Sequence, residues 1–264
     1  MDIGIIGLGV VGSAVKYGFE KLGHNVKLHD IQLNTKINDV LGTEICYICV
    51  PTPENKDDSC DTSIVESVVK ELVDLKYKGI ITIKSTVAPG TTIKLKEKYN
   101  INDICFVPEF LRERCAITDF TENHDVCIVG TDDDYIFEKV KKCHGKYPKK
   151  FVKIDETGAE LCKYYNNIYN ATLITFANSF YEVCKRLDVN YTKVKDAVVN
   201  INHITDKYLD CNENFRGFGG VCLPKDTKAI ASLCKQMGID VDFFQMLIDE
   251  NKKYKITVFG GMRE

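Results

Sequence analysis

The sequence predicts an α/β fold: a mainly parallel sheet with helices on both faces, then a long helix, then a small all-helical region. Three observations carry this. Short apolar, β-rich runs alternate with stretches of helical spacing through the first half of the chain, the pattern of strands joined by crossover helices. A glycine-rich turn directly follows the first of these runs. After Asp155 the alternation stops and a long, uninterrupted helical pattern begins.

In chain order, the predicted strands are Ile3–Gly7, Asn25–His29, Ile45–Val50, Ile80–Lys84, Ile104–Val107, Val126–Gly130 and Phe151–Ile154. Between them, helical spacing covers Gly9–Leu22, Asp61–Leu75, Gly90–Lys98 and Asp133–Lys142. From Glu156 to Leu187 there is no proline, and the one glycine, Gly158, stands near the start. Leu161, Tyr165, Ile168, Thr172, Phe176, Phe180 and Val183 recur there at helical spacing. This predicts one helix of about 45 Å, at about 1.5 Å per residue. Further helices are expected over Lys193–Asn200, Lys225–Met237 and Val241–Lys253. The expected division is 1–155 for the sheet domain and 156–254 for the helical one. Residues 255–264 read as the start of another domain, because Lys255–Gly261 has the pattern of a strand entering a glycine turn.

Charge and cysteine content narrow the function class. The chain has 264 residues with 35 basic and 38 acidic side chains, a net charge of −3. That leaves no positive excess to draw nucleic acid or an anionic membrane surface. The opening MDIGIIGLGV lacks the basic segment, apolar core and cleavage site of a signal peptide, and no apolar run reaches the roughly 18 residues of a membrane span. With no secretory signal, the twelve cysteines read as reduced thiols in a cytoplasmic setting. Cys46 and Cys49 form a CxxC inside a strand-like run; residues three apart on a strand face opposite ways, which argues against zinc.

The turn Gly7-Leu-Gly9-Val10-Val11-Gly12 follows a strand and opens a helix, the context that gives GxGxxG its meaning. Its glycines allow a tight turn, close approach of backbone to a pyrophosphate, and close helix–strand packing. The helix N-terminus then presents N–H groups to phosphate. Asp30 comes 18 residues after Gly12 at the end of the second strand. A carboxylate there accepts from an adenosine ribose and repels a 2′-phosphate, so NAD is expected rather than NADP. Val50-Pro51-Thr52-Pro53 and Lys84-Ser85-Thr86-Val-Ala-Pro-Gly-Thr91 also follow strands, the side on which open parallel sheets bind ligands.

Gly217-Phe218-Gly219-Gly220-Val-Cys222-Leu-Pro-Lys-Asp226 is the most informative segment. Glycine lets main chain approach a ligand closely. Pro224 suits a first helical position, so Cys222 is expected just before a helix N-terminus. That dipole and Lys225 favour a thiolate.

This segment, with VPTP, KSTVAPGT and Val107-Pro-Glu-Phe-Leu-Arg-Glu113, resembles the UDP-glucose / GDP-mannose dehydrogenase family, and most nearly its UDP-glucose-oxidising branch. The resemblance spans most of residues 1–255. It implies oxidation of a nucleotide-sugar alcohol to the acid with two NAD, UDP-glucose giving UDP-glucuronate. Cys222 matches the nucleophile, which holds the sugar as a thiohemiacetal and then a thioester. Asp226 and Thr86 match the residues that hold the hydrolytic water, and Lys163 and Asn167 those that stabilise the oxyanion. Glu109 and Glu113 match the two glutamates of the substrate loop, Glu113 as the proton-transfer partner in hydrolysis and as a cofactor contact. Glu109, Phe110 and Leu111 match the substrate loop, as Phe218, Gly219 and Gly220 match the substrate-side glycine loop. A homodimer built on the long helix is implied as well.

The sequence departs from the family in three places. The stretch from Asp30 to Val50 is short, and the arginine expected upstream of the glycine loop is absent or replaced by Lys207; the C-terminal domain that grips the uridine in the family is expected to be missing. Two other readings stay open: a related nucleotide-sugar or 3-hydroxyacid dehydrogenase, and an NAD-binding module without catalysis.

Overall fold

The computed structural model describes residues 1–256. The expected strand over Lys255–Gly261 and the expected remnant 255–264 therefore lie, from residue 257 on, outside the described residues. The chain divides into two compact units. One comprises Met1–Pro53 and Cys60–Lys163, the other Glu54–Ser59 and the residues from Tyr164 onward.

The first unit holds seven strands: β1 (Asp2–Ile6), β2 (Asn25–His29), β3 (Ile45–Ile48), β4 (Ile80–Ile83), β5 (Ile104–Phe106), β6 (Val126–Gly130) and β7 (Lys150–Ile154). They form one sheet in the order β2-β1-β3-β4-β5-β6-β7. Every pairing is parallel except β5 with β6, which meet antiparallel at Phe106 and Gly130. The expected mainly parallel, Rossmann-like sheet is thus present. Residues of β3, β4 and β5 are buried without interruption, as strands covered on both faces must be. Alternate residues feed two cores. Ile3, Ile5, Ile45 and Tyr47 join Phe19 and Phe120, while Ile6, Cys46 and Ile48 join Val65, Leu72 and Leu95, the period-two split of a strand.

The covering helices are α1 (Val10–Lys21), α2 (Ser63–Asp74), α3 (Thr91–Tyr99), α4 (Ala116–Thr121) and α5 (Asp134–His144). The helix α4 was not expected, since six residues are too few to display a period. The long helix α6 (Glu156–Arg186) runs for 31 residues. Its first two turns belong to this unit, where Glu160 accepts from Thr92 N at 2.8 Å, Thr92 Oγ1 at 2.6 Å and Gly90 N at 2.5 Å. This carboxylate supplies the cap that α3 lacks from its own sequence, because Gly90 stands at the N-cap with φ 88°,.

In the second unit the rest of α6 is followed by α7 (Tyr191–Val198), α8 (Cys222–Met237) and α9 (Phe243–Asn251). Ala177, Cys184, Tyr191, Leu209 and Cys211 form its small core. The long connection from α7 to α8 is held by Lys195, which pairs with Asp206 and Asp210 at 2.8 Å each. The short segment Glu54–Ser59 belongs here because Lys228 Nζ of α8 lies 2.9 Å from Glu54, and Ser232 Oγ donates to Asp57 O at 3.0 Å. Among the described residues no helix is long and apolar enough to cross a membrane.

Candidate active site

Gly7 follows β1 with φ +90°, and Gly9 is the N-cap of α1, so Val10 and Val11 form its first turn. A Cβ on Gly12 would stand 1.9 Å from Gly7 O, whereas a Cβ on Gly9 would meet nothing within 4 Å. One glycine is thus required by packing, and the other leaves open space above a helix N-terminus. Asp30 closes the arrangement: its Oδ2 accepts from Leu8 N at 2.6 Å and its Oδ1 from Gln32 N at 2.8 Å. These two N–H groups hold the Asp30 carboxyl below its ordinary value, so it is an anion with lone pairs to spare. The open cradle at Gly9, the first turn of α1 and this carboxylate fit a dinucleotide such as NAD.

Because β1, β3, β4 and β5 are neighbours and parallel, the loops at their carboxyl ends lie side by side. Val50, Pro51 and Thr52 follow β3, and Ser85 and Thr86 follow β4. Ser85 Oγ donates to Val50 O at 2.7 Å, so this hydroxyl ties the two loops together. After β5, Glu109 is buried. Its Oε2 lies 3.0 Å from Lys84 Nζ, and its Oε1 accepts from Phe110 N at 2.9 Å and Leu111 N at 3.3 Å. Burial pushes the Glu109 carboxyl up, but Lys84, His124 and the loop N–H together hold it below its ordinary value. Lys163 Nζ donates to the Glu109 carbonyl at 2.7 Å and lies 6.0 Å from the Phe110 ring centroid. Glu113 opens a short 3₁₀ turn, Glu113–Cys115. Lys163, Phe110, Leu111 and Glu109 are therefore one connected group.

In the second unit, α8 begins at Cys222 itself, three residues before the expected Lys225. The first-turn N–H groups of a helix have no intrahelical partner, so Pro224 is tolerated at the third position as well as the first. Cys222 is the one exposed thiol among the twelve cysteines, none of which is in a disulfide. Burial pushes the thiols of Cys105, Cys127 and Cys143 up to about 12, which leaves them as packing groups. Cys46 and Cys49 are likewise raised by burial.

One turn into α8, Asp226 is 1% exposed. Lys225 Nζ donates to its Oδ1 at 2.6 Å and Asn167 Nδ2 to its Oδ2 at 2.6 Å. The Asn167 amide, expected beside Lys163 on a substrate oxygen, is turned to Asp226 here. Asn166 Nδ2 in turn donates to Asn167 Oδ1 at 3.1 Å. The glycine loop bends through positive φ at Gly217 and Gly220, and Phe218 is buried.

Four supporting side chains carry no local signal in the sequence. Two are Lys84, paired with Glu109, and Glu160, which caps α3. Asn178 Oδ1 accepts from Arg216 Nε at 2.7 Å, and Asn251 brackets Phe218 through its backbone. Arg216, directly before the glycine loop, pairs with Glu182 and lies between the rings of Tyr181 and Tyr254, 4.7 and 4.8 Å from their centroids. Lys207 is exposed.

The NAD binding domain of the UDP-glucose/GDP-mannose dehydrogenase family matches residues 32–147, and the family's central domain matches residues 157–253. The chain belongs to this family. It therefore carries the NAD-binding domain of a group of nucleotide-sugar dehydrogenases. It is 30% identical over 240 residues to the UDP-glucose 6-dehydrogenase TuaD of Bacillus subtilis, covering 85% of this chain and 51% of that one. A GDP-mannose 6-dehydrogenase of Pseudomonas syringae pv. tomato is 28% identical, with 80% and 51% covered. A solved UDP-glucose dehydrogenase from Pyrobaculum islandicum superposes with a TM-score of 0.87 at 26% identity, over 96% of this chain and 68% of that one. The chain thus spans about half the length of the curated relatives it matches.

Proposed function

We propose that the chain catalyses the NAD-dependent, four-electron oxidation of UDP-glucose to UDP-glucuronate, with Cys222 as the covalent nucleophile. The observation that carries this reading is the local pattern at α8. An exposed cysteine opens the helix, and the buried carboxylate of Asp226, held by Asn167 and Lys225, lies one turn on.

NAD, when bound at the glycine loop, supplies the hydride acceptor for both oxidations. The chain's residues do the rest. The C6 alcohol first loses a hydride and, to solvent, its hydroxyl proton, giving the aldehyde. Cys222 Sγ then bonds to the aldehyde carbon while the aldehyde oxygen gains a proton, giving a thiohemiacetal; loss of a second hydride and that proton leaves a thioester. Lys163, as an ammonium, stabilises the oxygen that carries developing charge and exchanges its proton. Water then adds to the thioester carbon and the carbon–sulfur bond breaks, returning the thiolate and releasing the acid. Asp226 and Thr86 orient that water, and Glu113 takes its proton. Glu109 acts through structure: its carboxylate organises the backbone of Phe110 and Leu111, which with Phe218, Gly219 and Gly220 holds the sugar nucleotide.

The proposed partner is a second copy of the chain. Tyr165, Tyr169, Phe176 and Phe180 of α6 are exposed, at 77%, 53%, 54% and 47%. Their spacing puts them on one stripe of the helix, and an apolar stripe of this kind is buried in a stable assembly. A two-fold pairing of α6 with itself is the simplest cover.

Incubating the chain with NAD and, separately, UDP-glucose, a UDP-acetamido sugar and GDP-mannose tests the substrate. UDP-glucose should give the highest kcat/KM. A clear preference for GDP-mannose, the substrate class of the Pseudomonas relative, would replace the nucleotide in this reading while keeping the chemistry.

A further inference from the structure

A buried polar group beside the cysteine loop, and not used by the chemistry above, is Asn251 at the end of α9. Its amide meets the main chain of Phe218 on both sides. Phe218 N donates to Asn251 Oδ1 at 2.8 Å, and Asn251 Nδ2 donates to Phe218 O at 2.8 Å. Both residues are buried, Phe218 at 2% and Asn251 at 7% exposure. The side chain thus acts as one rung of a β-ladder supplied by a helix. The approach is close as well as polar: a Cβ on Gly217 would lie 3.2 Å from Asn251 Oδ1. From the other side, Asn178 Oδ1 accepts from Arg216 Nε at 2.7 Å and from Gly217 N at 3.4 Å.

We infer that Asn251 is a positioning residue for the reaction: it fixes the height of the Gly217–Gly220 loop and, through it, the placement of Cys222 Sγ. The physical reason is that this loop is built to bend. Gly217 and Gly220 stand at φ +40° and +73°, and glycine pays little to leave such a conformation. Phe218 has no regular secondary structure to satisfy its N–H and C=O, and a buried backbone group without a partner is costly. The bidentate Asn251 amide satisfies both groups and sets the register. Val221, the N-cap of α8, gives no side-chain hydrogen bond, so the loop's anchor is upstream, at Phe218. An apolar side chain at position 251 fills the space without fixing the loop.

This inference rests on the reading of Cys222 as nucleophile, and the test separates the two. The full chain is compared with Asn251→Leu, which removes both contacts, and Asn251→Asp, which keeps the acceptor for Phe218 N. Three quantities are measured: the iodoacetamide alkylation rate at Cys222 without sugar, NAD affinity, and kcat with UDP-glucose. A displacement of about 1 Å at a reacting group can cost on the order of 100-fold. The expected result is a kcat lowered by roughly that factor in Asn251→Leu and less in Asn251→Asp. The Cys222 alkylation rate should change several-fold and NAD affinity should stay unchanged. An alkylation rate equal to the unaltered chain's would overturn the inference, whatever happens to kcat. Should Asn251→Leu not fold, Asn251→Asp and amide exchange in the unaltered chain decide it: the Phe218 N–H must exchange far more slowly than those of Gly219 and Gly220, and fast exchange overturns the inference. A Cys222→Ser chain that still carries UDP-glucose to the acid at the normal rate would instead overturn the nucleophile reading, while the alkylation and exchange results retain their meaning.

Discussion

Replacing Lys84 by Met should destabilise the sheet unit strongly, and in a pH-dependent way. Lys84 Nζ lies 3.0 Å from Glu109 Oε2, and the two side chains are 1% and 9% exposed. At that distance two unit charges attract by about 5.5 kcal/mol at an effective dielectric of about 20. Desolvation of both groups offsets much of this, so the pair itself adds little. Removing one partner is different, because Glu109 is left charged and buried, a loss of about 3–5 kcal/mol. For a unit of this size that corresponds to roughly 6–20 °C in Tm. The sign with pH follows from the carboxyl. In the unaltered chain Glu109 lies below its ordinary value, so its contribution is present at neutral pH and lost as pH falls through the folded value. Without Lys84, burial dominates and raises the carboxyl. The variant's defect is then largest at pH 7–8 and fades as pH falls toward the ordinary carboxylate range near about 4.3. Denaturant unfolding at several pH values measures this. The double variant Lys84→Met/Glu109→Gln, with no buried charge, should recover most of the loss at pH 7. A single-variant loss under about 1 kcal/mol, the level of an exposed pair, or one independent of pH, would refute the argument.

Two further outcomes are expected. Gly9→Ala should fold normally yet bind NAD weakly, because its methyl enters open space at the cradle. Gly12→Ala should lose thermal stability, since its methyl would lie 1.9 Å from Gly7 O; thermal melts and fluorescence titration with NAD distinguish the two, and equal behaviour contradicts the division of roles. Light scattering at micromolar concentration should give a dimer, and Phe176→Asp with Phe180→Asp should dissociate it. A monomer that oxidises the sugar at full rate would remove the proposed α6 interface.

What the sequence reveals and conceals follows from the range of each interaction. Strands β2 and β6 have the expected limits because turn residues bracket their apolar runs. The ends of β1, β3 and β4 fall one or two residues short of expectation, since the chain leaves the sheet to build ligand loops while its composition is still apolar. The helix start at Cys222, with Asp226 one turn on, is legible because a proline and a glycine run are local signals. Lys84, Glu160, Asn178 and Asn251 are not. Each acts on a backbone or carboxylate 25 to 70 residues away in the chain, and a lysine or asparagine whose neighbours in sequence are ordinary gives no sign of that. The same holds for Asn167, whose amide is directed to Asp226 across 59 residues. Helical spacing gives its face but not its partner.

The central claim is a double oxidation through Cys222, and the stoichiometry of a single incubation tests it most directly. With limiting UDP-glucose and excess NAD, the unaltered chain should release two NADH per sugar with no free aldehyde. Cys222→Ser should bind NAD equally well and lose several orders of magnitude in rate. One NADH per sugar with the aldehyde released, or two from the serine variant at the normal rate, would contradict the account.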